Sequence, residues 1–214
     1  MSQSSSPSAS VAAAAAPIDP AVVAKVRAAA EAGDARAAYE LGMAYANGEG
    51  VQLDYVEASR WIRQAAEAGL ALAQRTLAWL YSNGLGVEAD DGKAVHWYLA
   101  AAEQGDPRDQ HFAATIYRYG RYDVAKDPER MLHWYSLSAN QGFAPAQCEL
   151  GQLLLKGKYV ARDDQLAFQW LSLAVVNGSR TAPKWLRELS ERMDPDLLHQ
   201  AKKAMLTQAA EQDS

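Results

Sequence analysis

A beat of about 36 residues runs through most of this chain and limits what it can fold into. The pieces AAEAG (29–33), AAEAG (65–69), AAEQG (101–105), SANQG (138–142) and AVVNG (174–178) end in Gly33, Gly69, Gly105, Gly142 and Gly178, at intervals of 36, 36, 37 and 36 residues. Trp61, Trp97, Trp134 and Trp170 each stand eight residues before one of these glycines. Tyr45, Tyr81 and Tyr117 stand twelve after one, with Leu154 in that place in the last unit, and Gly48, Gly84, Gly120 and Gly157 stand fifteen after. A unit this short cannot bury its apolar face alone, so tandem copies must pack neighbour on neighbour.

Each unit reads as two helices. From Asp34, the apolar positions Ala37, Leu41, Gly42 and Tyr45 recur at spacings of four, one and three, which makes one stripe of an amphipathic helix that Gly48 ends. A second helix follows. Asp54-Tyr-Val-Glu57 predicts a capping box, and Asp127-Pro128 joins an Asp N-cap to a proline at the first helical position. Ala58, Trp61, Ala65 and their equivalents are expected to form the inner stripe of this helix, and the glycine closing the unit its left-handed C-cap.

The pattern L-G-x-x-Y-x-x-G-x-G-V-x-x-D-x-x-x-A-x-x-W-x-x-x-A-A-E-x-G, present over Leu41–Gly69 and nearly whole over Leu77–Gly105, resembles the Sel-one-like repeat (SLR) family, relatives of the tetratricopeptide helical hairpins. The resemblance covers residues 34–179. It implies an all-α fold, a right-handed α/α superhelical solenoid, and a role as adaptor or scaffold, many such proteins being bacterial. The third and fourth units depart from the pattern: YGRYDVAKD replaces the Gly-x-Gly-Val loop and adds a residue, and KGKYVARD stands in the last. Those two loops are expected to differ in shape.

The domain reading follows. Residues 1–18 are a low-complexity tail, and residues 19–179 are the array: a half repeat at 19–33 opened by Asp19-Pro20, then repeats 34–69, 70–105, 106–142 and 143–178. Residues 180–214 are a C-terminal capping region, in which Asp194-Pro195 opens a helix after a segment containing Trp185. The tail has no basic start and too weak an apolar run for a signal peptide, so a cytoplasmic protein is expected. No window of about 18 apolar residues predicts a membrane span.

With a net charge of −5 and its Lys and Arg scattered among acids, the chain lacks the electrostatic footprint of a nucleic-acid binder. Its one cysteine, Cys148, forbids an internal disulfide. Gly48-x-Gly50 and Gly84-x-Gly86 follow a helix at the same phase in successive units, so they read as turns rather than phosphate loops. The carboxylate column Asp54, Asp90, Asp127 and Asp163 reads as helix caps, and His96 and His133 as a polar, part-exposed column. No H-E-x-x-H or Gly-x-Ser-x-Gly occurs. Some relatives are linked to β-lactam hydrolysis, so a cell-wall enzyme or ligand-binding protein is the alternative reading. Yet no serine here has lysine three residues on, and the paired cysteines of those relatives are missing. No enzyme activity, cofactor or metal is therefore expected.

In such a solenoid the first helices are expected to line the concave face. Counted from each closing glycine, core positions fall at 4, 8, 9 and 12 and the opposite side at 3, 6, 10 and 14. The sixth column reads Tyr39, Arg75, His111, Cys148; the tenth Met43, Trp79, Thr115, Gln152; the fourteenth Asn47, Asn83, Tyr119, Lys156. These columns vary where the core columns hold constant, as a binding face would. Tyr39, Met43, Arg75, Trp79, His111, Thr115 and Tyr119 are the candidate partner-binding residues for a protein or peptide, with Trp79 the anchor, on a protein expected to be monomeric. Trp79 would otherwise pack sideways on an adjacent unit as core.

Overall fold

Eleven helices, and no strand, are present among the described residues, 19–212 of the computed structural model; the tail at 1–18 lies outside them. They are α1 (Pro20–Glu31), α2 (Ala35–Asn47), α3 (Tyr55–Glu67), α4 (Ala71–Asn83), α5 (Asp91–Glu103), α6 (Pro107–Tyr119), α7 (Pro128–Asn140), α8 (Ala144–Lys156), α9 (Asp164–Val176), α10 (Ala182–Arg192) and α11 (Pro195–Gln212). Contacts run in chain order: α2 packs on α3, α4 on α5, α6 on α7 and α8 on α9 within units, and α1 on α2, α3 on α4, α5 on α6 and α7 on α8 between them. This is the all-α solenoid of helical hairpins.

The periodic glycines do what their spacing demands. Gly48, Gly84, Gly120 and Gly157 take left-handed φ between 61° and 71° and close the first helices. Asp54 accepts from the backbone N–H of Val56 at 2.8 Å and Glu57 at 3.1 Å, and Asp90, Asp127 and Asp163 cap their helices likewise. The reciprocal half of the expected capping box is not made. The Asp54 backbone N–H donates instead to the Tyr45 carbonyl at 3.0 Å, which leaves Glu57 free to pair with Arg60 at 3.3 Å. The same link recurs from Asp90 to Tyr81, Asp127 to Tyr117 and Asp163 to Leu154, so each cap also ties its helix to the one before it.

The inner stripe of the second helices is centred one residue beyond the expected one. Trp61 is buried, but Trp97, Trp134 and Trp170 are only partly so, while Ile62, Tyr98, Tyr135 and Leu171, the next residues, are all buried. One residue is about 100° of helix rotation, which turns the indoles towards the flank. Close approach supplies the reason. A Cβ on Gly42 would lie 2.5 Å from Ile62 Cγ1, and one on Gly151 2.6 Å from Leu171 Cγ, so in the first and last units the residue after the tryptophan seats directly against a glycine of the facing helix. The Trp61 indole N–H is buried and has no partner among the described residues.

Glutamines tie each unit to the one before: exposed Gln104 and Gln141 each reach a buried glutamine of their own unit and the closing glycine carbonyl of the preceding unit. Gln104 donates to Gln74 at 3.0 Å and to the Gly69 carbonyl at 2.7 Å; Gln141 donates to Gln110 at 2.8 Å and the Gly105 carbonyl at 2.9 Å. At the end of the array the Trp185 segment is itself a helix, α10, packed on α9 and α8, and α11 lies on α9. Two helices therefore close the array where one was expected. Ser179 accepts from the Ala182 N–H at 3.2 Å to start α10, and Asp194 accepts from Asp196 N–H at 2.9 Å to start α11.

Candidate functional site

The first helices α2, α4 and α6, with α3 and α5 behind them, enclose a pocket of about 600 Å³ lined by Met43, Tyr55, Arg75, Trp79, Tyr98 and Phe112 among others. Trp79 is 46% exposed, so it is a surface residue and not inter-unit core. Its place follows from periodicity: it sits on the α4 face opposite Leu77, Ala78 and Tyr81, which are buried. Tyr98 packs against Phe112 at 4.6 Å and against Tyr122 at 5.7 Å between ring centroids. Tyr122 comes from the atypical third loop, where it and Asp123 both take a φ of 55°.

Charge is fixed at the rim of this pocket. Arg75 meets Asp109 at 2.8 Å, and the Asp109 side chain is only 8% exposed. Asp109 lies in the first turn of α6, where the unpaired backbone N–H groups favour an anion. Beside it Arg108 grips Asp106 through two hydrogen bonds, of 3.1 and 2.7 Å, and the Arg108 guanidinium holds the Asp106 carboxyl down at about 2.

Of the expected binding residues, Met43, Arg75 and Trp79 meet at this pocket. Tyr39 lines a neighbouring pocket of about 340 Å³ with Val22, Val23 and Val26 of α1, and Met43 borders both. The Tyr39 hydroxyl lies 3.4 Å from Thr76 Oγ1. His111 lines neither pocket. It is packed between Tyr135 and Phe143, ring centroids 5.5 and 5.4 Å away, and burial pushes its pKa below the usual value. Thr115 lines neither pocket; its hydroxyl donates to the Phe112 carbonyl at 2.7 Å. Tyr119, 52% exposed, belongs to a third pocket farther along the array. The patch expected around Trp79 is thus narrower than the columns implied.

Sequence reasoning passed over Phe112, Tyr98 and Asp109. Phe112 stands in the seventh column, Glu40, Thr76, Phe112, Glu149, which varies as much as those singled out. Asp109 occupies the fourth column, where the other units hold Ala37, Ala73 and Ala146. A carboxylate in an otherwise alanine core column was the available signal.

Farther along α6, Arg118 binds both Glu149 of α8 and, at 3.1 Å, the Tyr135 hydroxyl of α7. Burial pushes the Tyr135 hydroxyl up to about 12 although Arg118 pulls the other way, and burial raises Tyr98 as well. Both tyrosines hold their protons more tightly folded than unfolded, so their contribution is complete below the unfolded value of about 10 and is lost as pH rises through the folded value. Between pH 10 and 12 the protein is expected to lose about 2–3 kcal/mol through Tyr135 alone. Thermal unfolding midpoints measured across that range check this, and Tyr135→Phe should flatten the fall.

No group of three or more His, Cys, Asp or Glu residues that could hold a metal ion occurs among the described residues, and no helix there is long and apolar enough to cross a membrane. Cys148 is buried, its Sγ 3.4 Å from Thr181 Oγ1.

The Sel1 repeat model matches residues 35–70, 71–106, 107–143 and 144–178. A protective antigen with an SLR fold from uropathogenic Escherichia coli strains is similar at 32% identity and a TM-score of 0.70, over 86% of this chain and 40% of that one. The chain therefore spans 40% of that antigen's length. A Sel1 repeat protein from Oxalobacter formigenes is similar at 30% identity and a TM-score of 0.70, over 91% of this chain and 79% of that one. No curated protein matches the sequence.

Proposed function

Because the chain belongs to the Sel1 repeat family, whose fold typically serves protein–protein interaction, we propose that it is a non-catalytic adaptor that seats a peptide or partner surface on its first-helix face. The observation that carries the reading is the pocket around Trp79: an exposed indole beside Met43, Tyr98 and Phe112, about 600 Å³ in volume, with the Arg75–Asp109 pair at its edge. Aromatic and methionine side chains around a concave apolar surface, rimmed by fixed charge, are the composition of an interface core. Met43 continues this surface into the pocket of Tyr39 and α1, so an extended ligand would meet two apolar sockets in succession.

Trp79→Ala tests it. Partner capture from lysate of the native host should fall about tenfold or more, as truncation of an interface tryptophan does. The thermal midpoint should stay within a degree or two of wild type, since exposed substitutions cost about 0.5 kcal/mol or less. Undiminished capture by Trp79→Ala would remove the pocket from the interface. A covalent adduct formed on incubation with a β-lactam would overturn the non-catalytic reading.

A further inference from the structure

The third pocket, at the far end of the first-helix face, is of different character. It encloses about 300 Å³ and is lined by Arg118, Tyr119, Lys126, Lys156, Lys158 and Tyr159, together with Gln152 and Leu153. Lys126, Lys156, Lys158 and both tyrosines are exposed. Among the described residues none of these three lysines is paired with a carboxylate, and Glu149 is taken by Arg118. Lys156 instead lies over the Trp185 ring at 4.8 Å and Lys158 over the Tyr159 ring at 4.9 Å. Aromatic neighbours thus steady two ammonium groups without neutralising them.

The repeat supplies an internal control for this charge. Where the third and fourth units place Tyr119 and Lys156, the first two place Asn47 and Asn83. Where the last two place Arg121 and Lys158, the first two place Glu49 and Leu85. The second loop glycine, Gly50 and Gly86 with φ of 71° and 68°, is replaced by Tyr159 at a φ of 72°. The turn keeps its geometry with a residue that costs about 1 kcal/mol more there than glycine. The fourth unit's turn does not itself call for Lys158 and Tyr159, because the second unit makes it with Leu85 and Gly86. On a chain of net charge −5, three unpaired lysines at one pocket are a local reversal of sign.

We propose that this pocket binds an acidic segment of the partner, a run of Asp or Glu side chains on the same chain that the Trp79 pocket anchors. The proposal rests on the adaptor reading above. Carboxylates fit the donor set. Arg118 already spends Nη1 on Glu149 and Tyr135, so the pocket's exposed cations are the point-charge ammonium groups of its lysines, with phenolic hydroxyls beside them. The acidic remainder of the protein repels an extended polyanion such as nucleic acid, whereas a short acidic segment meets only the reversed patch.

The test is titration of isotope-labelled protein with N-acetylated, C-amidated hexaglutamate at low ionic strength, followed by amide chemical shifts. Shifts should cluster at residues 118–126 and 156–159, be absent with hexaglutamine, and vanish in high salt. The triple variant Lys126→Glu, Lys156→Glu, Lys158→Glu should bind hexaglutamate about tenfold more weakly or worse, with an unchanged melting curve. Lys25→Glu on α1 should bind as wild type. Trp79→Ala should also keep the hexaglutamate response, which separates this pocket from the apolar one. Equal shifts with hexaglutamine, an undiminished response in the triple variant, or loss of the response in Trp79→Ala would each overturn the proposal. So would inorganic phosphate that produced the same shifts at lower concentration, for that would make the pocket a phosphate site.

Discussion

Gly86→Ala is expected to destabilise the protein by about 3 kcal/mol or more, measured as the shift in a urea unfolding curve. Two effects act together. Gly86 sits at a φ of 68°, where a Cβ costs about 1 kcal/mol by itself. That Cβ would also lie 1.8 Å from the Tyr55 carbonyl oxygen, far inside contact distance and against backbone that no rotamer change can move. Relief requires shifting the first turn of α3 or the loop after α4, and the Ser59 hydroxyl bond to the Gly86 carbonyl, 3.2 Å long, would go with it. Gly33→Ala is the matched comparison. Its φ is 94°, but a Cβ there meets nothing within 4 Å, so only the conformational cost applies, about 1–2 kcal/mol. If the two variants lost equal stability, the contact between loop and preceding unit would not be what Gly86 is for.

Tyr135→Ala is expected to cost about 4 kcal/mol, the range for truncating a large buried aromatic. Tyr135 has no exposed surface and stands among the largest fully buried side chains. It joins the cluster of Tyr117, Met131, Leu150 and Leu153 that spans the third and fourth units. Its hydroxyl also accepts from Arg118, which binds Glu149 at the same time. Alanine therefore leaves a cavity and strips one acceptor from a guanidinium that is largely buried. Tyr135→Phe divides these losses, since it keeps the ring and removes only the hydroxyl, and should cost about 1 kcal/mol. In a linear array the damage should spread to neighbouring units first, so amide exchange should quicken in α6–α8 before it does in α1–α3. A Tyr135→Ala protein as stable as Tyr135→Phe would mean that the neighbouring units close over the gap.

Much of this was legible in the spacing of a few residue types. The glycines fifteen residues past each closing glycine predicted where first helices stop, and the aspartates at 54, 90, 127 and 163 predicted where second helices start, because turns and caps depend on local backbone geometry. The reciprocal capping box was not legible. Whether the Asp54 N–H turns to Glu57 or to the Tyr45 carbonyl depends on where the preceding helix lies. Helix α10 was missed for a similar reason: Trp185 and its neighbours follow no column of the repeat, and what places them is the open end of α9.

For the candidate site the column count put Met43, Arg75 and Trp79 on one face, and they line one pocket, since 100° per residue is enough to separate core from surface along a single helix. It could not choose which members of different columns share a pocket. Phe112 and Asp109 entered, and His111 left, because neighbouring helices shift and rotate against one another through contacts such as Gly42 with Ile62 and Tyr98 with Phe112. By itself, then, the sequence determined the repeat, its helix ends and the variable face, all set by interactions within a few residues. Only the tertiary structure decided that Trp79 opens to solvent beside a closed Arg75–Asp109 pair and that Lys126, Lys156 and Lys158 gather at one pocket. Those outcomes join residues some thirty positions apart, and distance in space there follows from packing between units rather than from spacing along the chain.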